Sequence, residues 1–329
     1  MSSVQDTFPK HGTKTSNLIL DRSMQSWYDK AGVRNDPRRM IGEEQNGEFY
    51  WPPQLAPFVN HPLVAKLEKA DAAKHELLIR QLYHYLQFTS NYELRVINRA
   101  TDLIATGRSG VPLSTQVRLD AFKIYTDEGY HALYSVDAIH QVEKRTGVQF
   151  NEYDFDNFLN YLSDVKGQLP ELKGAVELLV VIIFETFITG SLTQVPKDNN
   201  VVSLVREIVT DHAEDEAHHH AFFSGFFPLL WGQLTVFERT KLGKILPQLI
   251  VRPLEPAIPI IHQSLLGVGL SDEEARHVIE DTYPRDEVMA GIRKSARSTM
   301  NLFAKYDLFE DKEIRNSFEE SGLILPKDF

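Results

Sequence analysis

Beyond residue 60 the chain places apolar residues at i, i+3 and i+4, with few glycines or prolines between them, a spacing that predicts helices. It predicts them near 61–106, 113–145, 152–166, 170–195, 198–226 and 234–250, and the first is long enough to expect a break near Ser90. Asp154 or Asn157 can start the third helix, Pro170 suits the first turn of the fourth, and Pro196 and Lys197 end it. Pro253, Pro256 and Pro259 interrupt the pattern before helix resumes. Ser271 followed by Glu274 has the form of a capping box, and a last helix is expected over 285–304. Period-two alternation is weak throughout. Residues 1–60 are polar and broken by Pro9, Pro37, Pro52, Pro53 and Pro57, which predicts an arm packed on the main body, with Phe49, Tyr50 and Trp51 as anchors. The expectation is an all-α chain: an N-terminal arm over 1–60, and one helical domain over 61–329 that includes the C-terminal helices.

Composition narrows the chemistry. There is no cysteine, which removes thiolate metal sites, iron–sulfur clusters and cysteine nucleophiles, so any metal is held by nitrogen and oxygen. The net charge of −11 argues against nucleic-acid binding. The N-terminal residues lack an apolar signal core, and the longest apolar run, Leu178 to Phe184, is far shorter than the roughly 20 residues of a membrane span. A soluble, cytoplasmic protein with no membrane association is expected.

Two segments carry the chemistry. Asp127-Glu128-x-x-His131 and Asp215-Glu216-x-x-His219 both hold Glu-x-x-His preceded by Asp. Residues three apart share a helix face, so each motif can present an oxygen and a nitrogen to one point. One such motif is weak evidence; two, 88 residues apart (128 to 216), allow two helices to lie side by side. A carboxylate-bridged metal pair in a helical bundle needs one further glutamate from each of two other helices. Glu185 lies in a stretch apolar on every face, where a lone carboxylate is costly unless paired or bound to metal. Glu93 precedes the first motif by one loop and completes the order Glu, Glu-x-x-His, Glu, Glu-x-x-His. The pattern matches a ferritin-like di-metal bundle whose carboxylate-rich set suits iron or manganese.

His212 adds a third imidazole. With Glu216 and His219 it falls within about 60° of helix arc, so all three can face the same metal, whereas His218 points away and His220 sits at the edge. Asp127 and Asp215 are candidates to orient the ligand histidines. Tyr125 and Tyr130 read as packing residues, and Arg293, Lys294 and Arg297 as a solvated face rather than a substrate anchor. Gly267-Val268-Gly269 is only a fragment of a dinucleotide loop, so no bound nicotinamide or flavin is expected.

With His-x-x-x-Glu-x-x-His as its second motif, the chain resembles the di-iron N-oxygenase family typified by p-aminobenzoate N-oxygenase and the arylamine oxygenase of chloramphenicol formation. Tyr92-Glu93-x-x-Val96, Asp127-Glu128-x-x-His131, Glu185-Thr186 and His212-x-x-Asp215-Glu216-x-x-His219 carry the resemblance over roughly 60–225. The resemblance implies that Glu93, Glu128, His131, Glu185, His212, Glu216 and His219 bind two iron ions, with no catalytic side chain beyond these ligands. It implies O2 as co-substrate, an external reductase or reductant, and a peroxo-diferric species that oxidises a small-molecule amine to hydroxylamine, nitroso or nitro product. A carrier-tethered substrate, a homodimer and a place in specialised metabolite biosynthesis also follow from it. An aliphatic or amino-acid-derived amine stays open as substrate. A di-iron desaturase or hydroxylase, and a ferritin-like iron-binding protein, stay open as other functions.

Overall fold

The computed structural model describes Leu20, residues 22–43 and residues 48–325. Residues 1–19, 21 and 44–47 of the expected arm and 326–329 of the expected domain lie outside the described residues. The short helices α1 (Trp27–Lys30), α2 (Gly32–Asn35) and α3 (Pro62–Ala65) come first. Next is α4 (Ala70–Tyr92), which runs through a π-helical turn (Glu93–Ile97) into α5 (Asn98–Ala105). It is followed by α6 (Thr115–Thr146), α7 (Asp156–Gln168), α8 (Lys173–Glu185), the short α9 (Gly190–Gln194), α10 (Ser203–Gln233) and α11 (Val236–Leu254). The C-terminal part holds α12 (Ile258–Gly267), α13 (Asp272–Thr282), α14 (Arg285–Ser295), α15 (Arg297–Lys305) and α16 (Lys312–Glu320). Among the described residues the β-type pairing is an isolated bridge between Phe49 and Val201. The fold is all-α, as the periodicity requires.

The bundle is built from α4–α5, α6, α8 and α10. Helix α6, about 48 Å long by its rise per residue, starts where the Ser114 hydroxyl accepts from Val117 N–H and stops at Gly147, whose φ of 73° suits a residue without a Cβ. It runs antiparallel to α4–α5: Tyr83 Oη donates to the Val148 carbonyl beyond one end, and Asn98 Nδ2 to the Tyr125 carbonyl further down. It is also antiparallel to α10, since Asp127 meets His219 while His131 meets Asp215.

Several boundaries differ from expectation. Residues 61–69 form a separate turn, with His61 Nδ1 accepting from Leu63 N–H, and the long helix starts at Ala70. No break occurs at Ser90; the irregularity is the π turn that begins at Glu93. The helix expected over 170–195 opens with a 3-10 turn at Pro170 and stops at Glu185. There the Thr186 hydroxyl turns back to the Ile182 carbonyl and across to Thr299, and Ile188 N–H is taken by the Ser295 carbonyl. The helix expected over 285–304 divides at Ala296. Helix α16 was not expected, although Asp311 caps it and Ile314 and Phe318, four apart, are both buried. The Ser271–Glu274 capping box forms, and the Asp154 carboxylate accepts from Asp156 N–H at the start of α7.

Buried apolar side chains gather in two clusters. One holds Leu77, Leu82 and Leu86 of α4 with Ala138 and Val142 of α6 and Leu204 and Val209 of α10. The other holds Ile124 of α6, Leu179 and Ile183 of α8, and Phe222 and Phe226 of α10. On α6 and on α10 the stretch between the two clusters is the polar one, 127–131 and 212–219. Tyr50 and Trp51 are buried in the first cluster and tie down the chain leading into α4. Residues Pro170–Lys197 are long and apolar enough in composition to cross a membrane, yet in this fold Leu178–Ile183 of α8 are buried inside the bundle and the helix ends after Glu185.

The C-terminal helix docks through close backbone approach. A Cβ on Gly243 of α11 would overlap the Ile314 side chain. Gly243→Ala is therefore expected to lower unfolding stability by about 1–3 kcal/mol, read from urea melts, although alanine is the better helix former. An unchanged midpoint would show that α16 does not pack on α11 as described.

Candidate metal centre

The structure brings Glu93, Glu128, His131, Glu185, His212, Glu216 and His219 to one place between the two apolar clusters. Their ligand atoms form two groups that could each hold a metal ion. One is Glu93, His131, His212 and Glu216; the other is Glu128, Glu185, Glu216 and His219, and within each the atoms lie within 4.8 Å of one another. Glu216 belongs to both.

Local structure explains how each residue arrives. Glu93 opens the π turn, the kind of insertion that recurs at functional sites because it re-aims side chains within a continuing helix. Glu185 is the last residue of α8, so the helix delivers its carboxylate and then turns away. The two Glu-x-x-His motifs face each other across the antiparallel α6–α10 pair.

The division of ligands differs from the simplest reading of the spacing. His212 and His219 do share a face with Glu216, but seven residues place them roughly 10 Å apart along the helix axis. They therefore fall in different groups, with Glu216 Oε1 between them at 3.2 Å from His212 Nε2 and 3.3 Å from His219 Nδ1. The first motif is split in the same way. Glu128 Oε1 lies 2.9 Å from His219 Nδ1, and its Oε2 lies 3.5 Å from His131 Nδ1.

The residues fit a pair of cations by two observations. First, Glu93 Oε2, both carboxylate oxygens of Glu128 and Glu185, and Nδ1 of His131 and His219 are buried with no hydrogen-bond partner. Such atoms are costly to bury and need an explanation. Several approach one another at ion-pair distance without hydrogen-bond alignment, the arrangement of donors that face a shared ligand. Second, the outward nitrogens are held. His131 Nε2 meets Asp215 at 3.2 Å, His219 Nε2 meets Asp127 at 3.2 Å, and His212 Nδ1 lies 3.5 Å from Tyr85 Oη. This leaves Nδ1, Nδ1 and Nε2 turned inward, the usual way a ligating imidazole is oriented. Glu93 is not a surface residue paired with Arg95 or Arg99, because those arginines pair with Asp156 and Glu177. Nor, among the described residues, does Glu185 pair with a Lys or Arg; it lies 3.7 Å from His219 Nδ1.

The electrostatics show a site short of positive charge. Burial, then the neighbouring Glu128, raises the Glu93 carboxyl to about 7. Burial, then Glu216 and Glu128, lifts Glu185 well above the usual carboxylate range. Burial opposes charge on all three imidazoles, yet the acidic groups around them hold each above its ordinary range, His131 at about 9.

Asp127 and Asp215 each serve the opposite motif, and the N-terminal segment holds both. Trp27 Nε1 donates to Asp127 at 2.8 Å, and Gly32 N–H points to Asp215 at 3.5 Å. His218 and His220 stay outside the ligand groups: His218 Nδ1 meets the Ser23 carbonyl, and His220 Nε2 meets Ser298. Tyr125 is half-exposed, and Tyr130 packs edge-on to Tyr134. Arg293 is spent on the Gly322 carbonyl. Sequence reasoning missed Trp27, Tyr85 and Tyr134. Trp27 sits in a polar segment with no periodic signal, while Tyr85 and Tyr134 look like ordinary apolar-face positions until their rings are seen beside His212 and His131. A cavity of about 630 Å³ has Tyr85 and Phe88 in its wall.

The model of the family described as P-aminobenzoate N-oxygenase AurF matches residues 16–307. No curated protein matches the chain.

Two variants test the centre. Glu185→Leu removes a buried carboxyl whose oxygens have no hydrogen-bond partner, so the metal-free protein is expected to gain about 1–3 kcal/mol while metal analysis shows one of the two groups lost. A variant less stable without metal than the parent would mean Glu185 is satisfied in some other way. Trp27→Phe keeps the ring and loses the N–H, and is expected to weaken metal affinity by about 10–100-fold. Unaltered affinity in a metal-competition titration would remove the arm from the site.

Proposed function

The chain belongs to the p-aminobenzoate N-oxygenase family, and on that premise we propose that it is a non-haem di-iron monooxygenase that inserts oxygen into the N–H bond of an aromatic amine. The observation that carries this is the pair of adjacent ligand groups sharing Glu216, with a third imidazole, His212, in one of them. Glu93, His131, His212 and Glu216 would hold one iron, and Glu128, Glu185, Glu216 and His219 the other. Iron suits this set of carboxylates and imidazoles, and manganese is the closest substitute. Bound ferrous ions supply reductive activation of O2.

In the net reaction one oxygen atom forms the N–O bond and the other leaves as water. Two electrons and two protons come from outside, through an external reductant. Further rounds take the nitrogen to nitroso and nitro levels.

The chain's own part is position and exclusion of water. Asp127 and Asp215 fix the rings of His219 and His131, and Tyr85 backs His212. Tyr92 stacks on Phe184 at 3.7 Å and, with Phe88, seals the side of the centre next to Glu185. We take residues 61–329 as one oxygenase domain and residues 1–60 as an N-terminal arm whose Trp27 and Gly32 brace the two ligand-orienting aspartates, and place the enzyme in the cytoplasm, where a reductant can reach it.

We further propose a homodimer. The outer face of α6 exposes Leu119, Phe122, Tyr125, Leu133 and Val136, with Gly129 open at its middle and no charged residue exposed from 119 to 136. Such a continuous apolar stripe supports contact with a second copy. Light scattering is expected to give a dimer, and Leu133→Glu with Val136→Glu a monomer. A parent chain that is already monomeric ends this part of the proposal.

The function itself is tested by loading iron without oxygen, adding reductant, an arylamine and 18O2, and reading the product by mass spectrometry. A labelled N-hydroxy product is expected. His212→Ala is expected to cut its formation by more than about tenfold while the Glu128–Glu185–His219 group still takes metal. Full activity in that variant would remove His212 from the proposal, and label on carbon would return the chain to hydroxylase chemistry.

A further inference from the structure

The outward nitrogens of the three ligand imidazoles lead to different surroundings. Behind His131, Asp215 takes the main-chain N–H of Gly32. Behind His212, Tyr85 backs onto Trp51, which is buried. Neither of these lines ends at an exposed ring. Behind His219 the line is hydrogen-bonded as far as an indole: His219 Nε2 meets Asp127 at 3.2 Å, and Asp127 accepts from Trp27 Nε1 at 2.8 Å. The Trp27 ring then meets the Tyr28 ring edge-on, with centroids 5.2 Å apart. Tyr28 is 60% exposed, so the line reaches solvent one residue beyond the indole.

Holding Asp127 does not require an indole, since a main-chain N–H serves Asp215. What the ring adds is an extended π system joined by hydrogen bonds to a ligand histidine, and electrons tunnel faster along bonded contacts than across gaps. The rings are also set beside cations. Arg34 donates to the Tyr28 carbonyl and lies 5.4 Å from the Tyr28 ring and 5.7 Å from the Trp27 ring, and Lys123 Nζ lies 5.3 Å from Tyr28. A cation over a ring face favours its electron-rich neutral form, so these rings resist losing an electron. The line is suited to passing electrons inward rather than to surrendering the protein's own.

The surface at its outer end is basic on an acidic protein. Residues 22–40 hold five lysines and arginines against two aspartates, in a chain of net charge −11. Arg38 and Arg39 are engaged by Asp137 and Asp211. Lys30 and Arg34 are exposed, and among the described residues neither has a carboxylate partner. A local field of this sign steers an acidic partner to this face of the molecule.

Resting on the reading of the centre as a di-iron monooxygenase fed from outside, we propose that Tyr28, Trp27, Asp127 and His219 form its electron-entry line, and that the donor is an acidic one-electron carrier protein docking on Tyr28, Lys30 and Arg34. Each encounter oxidises one carrier by one electron and reduces one ferric ion to ferrous. Two encounters supply the two electrons that one oxygenation consumes, and no atom moves along the line.

The chain has no cysteine, so one introduced thiol carries one label. A ruthenium photosensitiser is attached at Tyr28→Cys and, in a separate protein, at Ile188→Cys, an exposed position three residues past Glu185. Both are saturated with ferric iron. Bleaching of the ferric absorbance is followed after a flash with a sacrificial reductant, without oxygen or amine. Adding Trp27→Phe is expected to slow injection from the first label by about tenfold, normalised to bound iron, and to leave the second unchanged. In the unlabelled protein, Lys30→Glu with Arg34→Glu is expected to slow reduction by a reduced, acidic plant-type ferredoxin by about tenfold at low salt, with the difference shrinking at high salt. Slowing from both labels alike would make Trp27 a structural support only and overturn the proposal. No slowing from the first label, or a ferredoxin rate indifferent to the charge reversal, would overturn it too and leave the N-oxygenase reading standing. Electrons entering as expected in a protein that forms no N-hydroxy product would instead uphold the entry line and defeat the N-oxygenase reading.

Discussion

Four carboxylates and three imidazoles are buried together across the middle of the bundle, among the described residues without a lysine or arginine to balance them. Removing that many polar groups from water is tolerable only with compensation, and the compensation here is mutual proximity plus whatever positive charge the site takes up. Much of the fold is arranged around this requirement. The apolar core is divided in two so that a polar layer can cross α6 and α10 at the same height. The π turn at Glu93 and the helix stop at Glu185 are local departures from regular geometry that bring the outlying carboxylates into that layer.

The layer also accounts for the outer ring of contacts. An imidazole that is to offer one nitrogen inward must have its other nitrogen fixed. Asp127 and Asp215 do this, but both are themselves largely buried and need donors. The indole of Trp27 and the main chain at Gly32 provide them. Arg38 on Asp137 and Arg39 on Asp211 then clamp the same segment to α6 and α10. An N-terminal stretch with little helical character of its own thus becomes part of the centre's support.

The sequence made the centre unusually readable, and for a physical reason. Helix spacing converts directly into shared faces, so the two Asp-Glu-x-x-His motifs and Glu185 in its apolar surroundings stand out in one dimension. His212 could be assigned to the same face, but not to a different group from His219, because angular position says nothing about which of two points along the axis a side chain reaches. The π turn at Glu93 was illegible, since one inserted residue leaves the apolar pattern nearly intact. The break after Glu185 was hidden because the partner of Thr186 is Thr299, far along the chain. Helix α16 was missed despite Asp311 as a cap, because its apolar stripe is only two residues deep. The cavity wall draws on residues from Trp51 to Ser295, and no local pattern joins them.

The ligand groups are interleaved along the chain. Each needs side chains from three separate elements, one from residues 93 and 131 through 216, the other from 128 and 185 through 219. No single helix contains a whole site, so the chain has no complete group to offer a metal ion until α10 has closed against α6. Metal capture then comes late in folding, and the bound ion certifies that the bundle is complete.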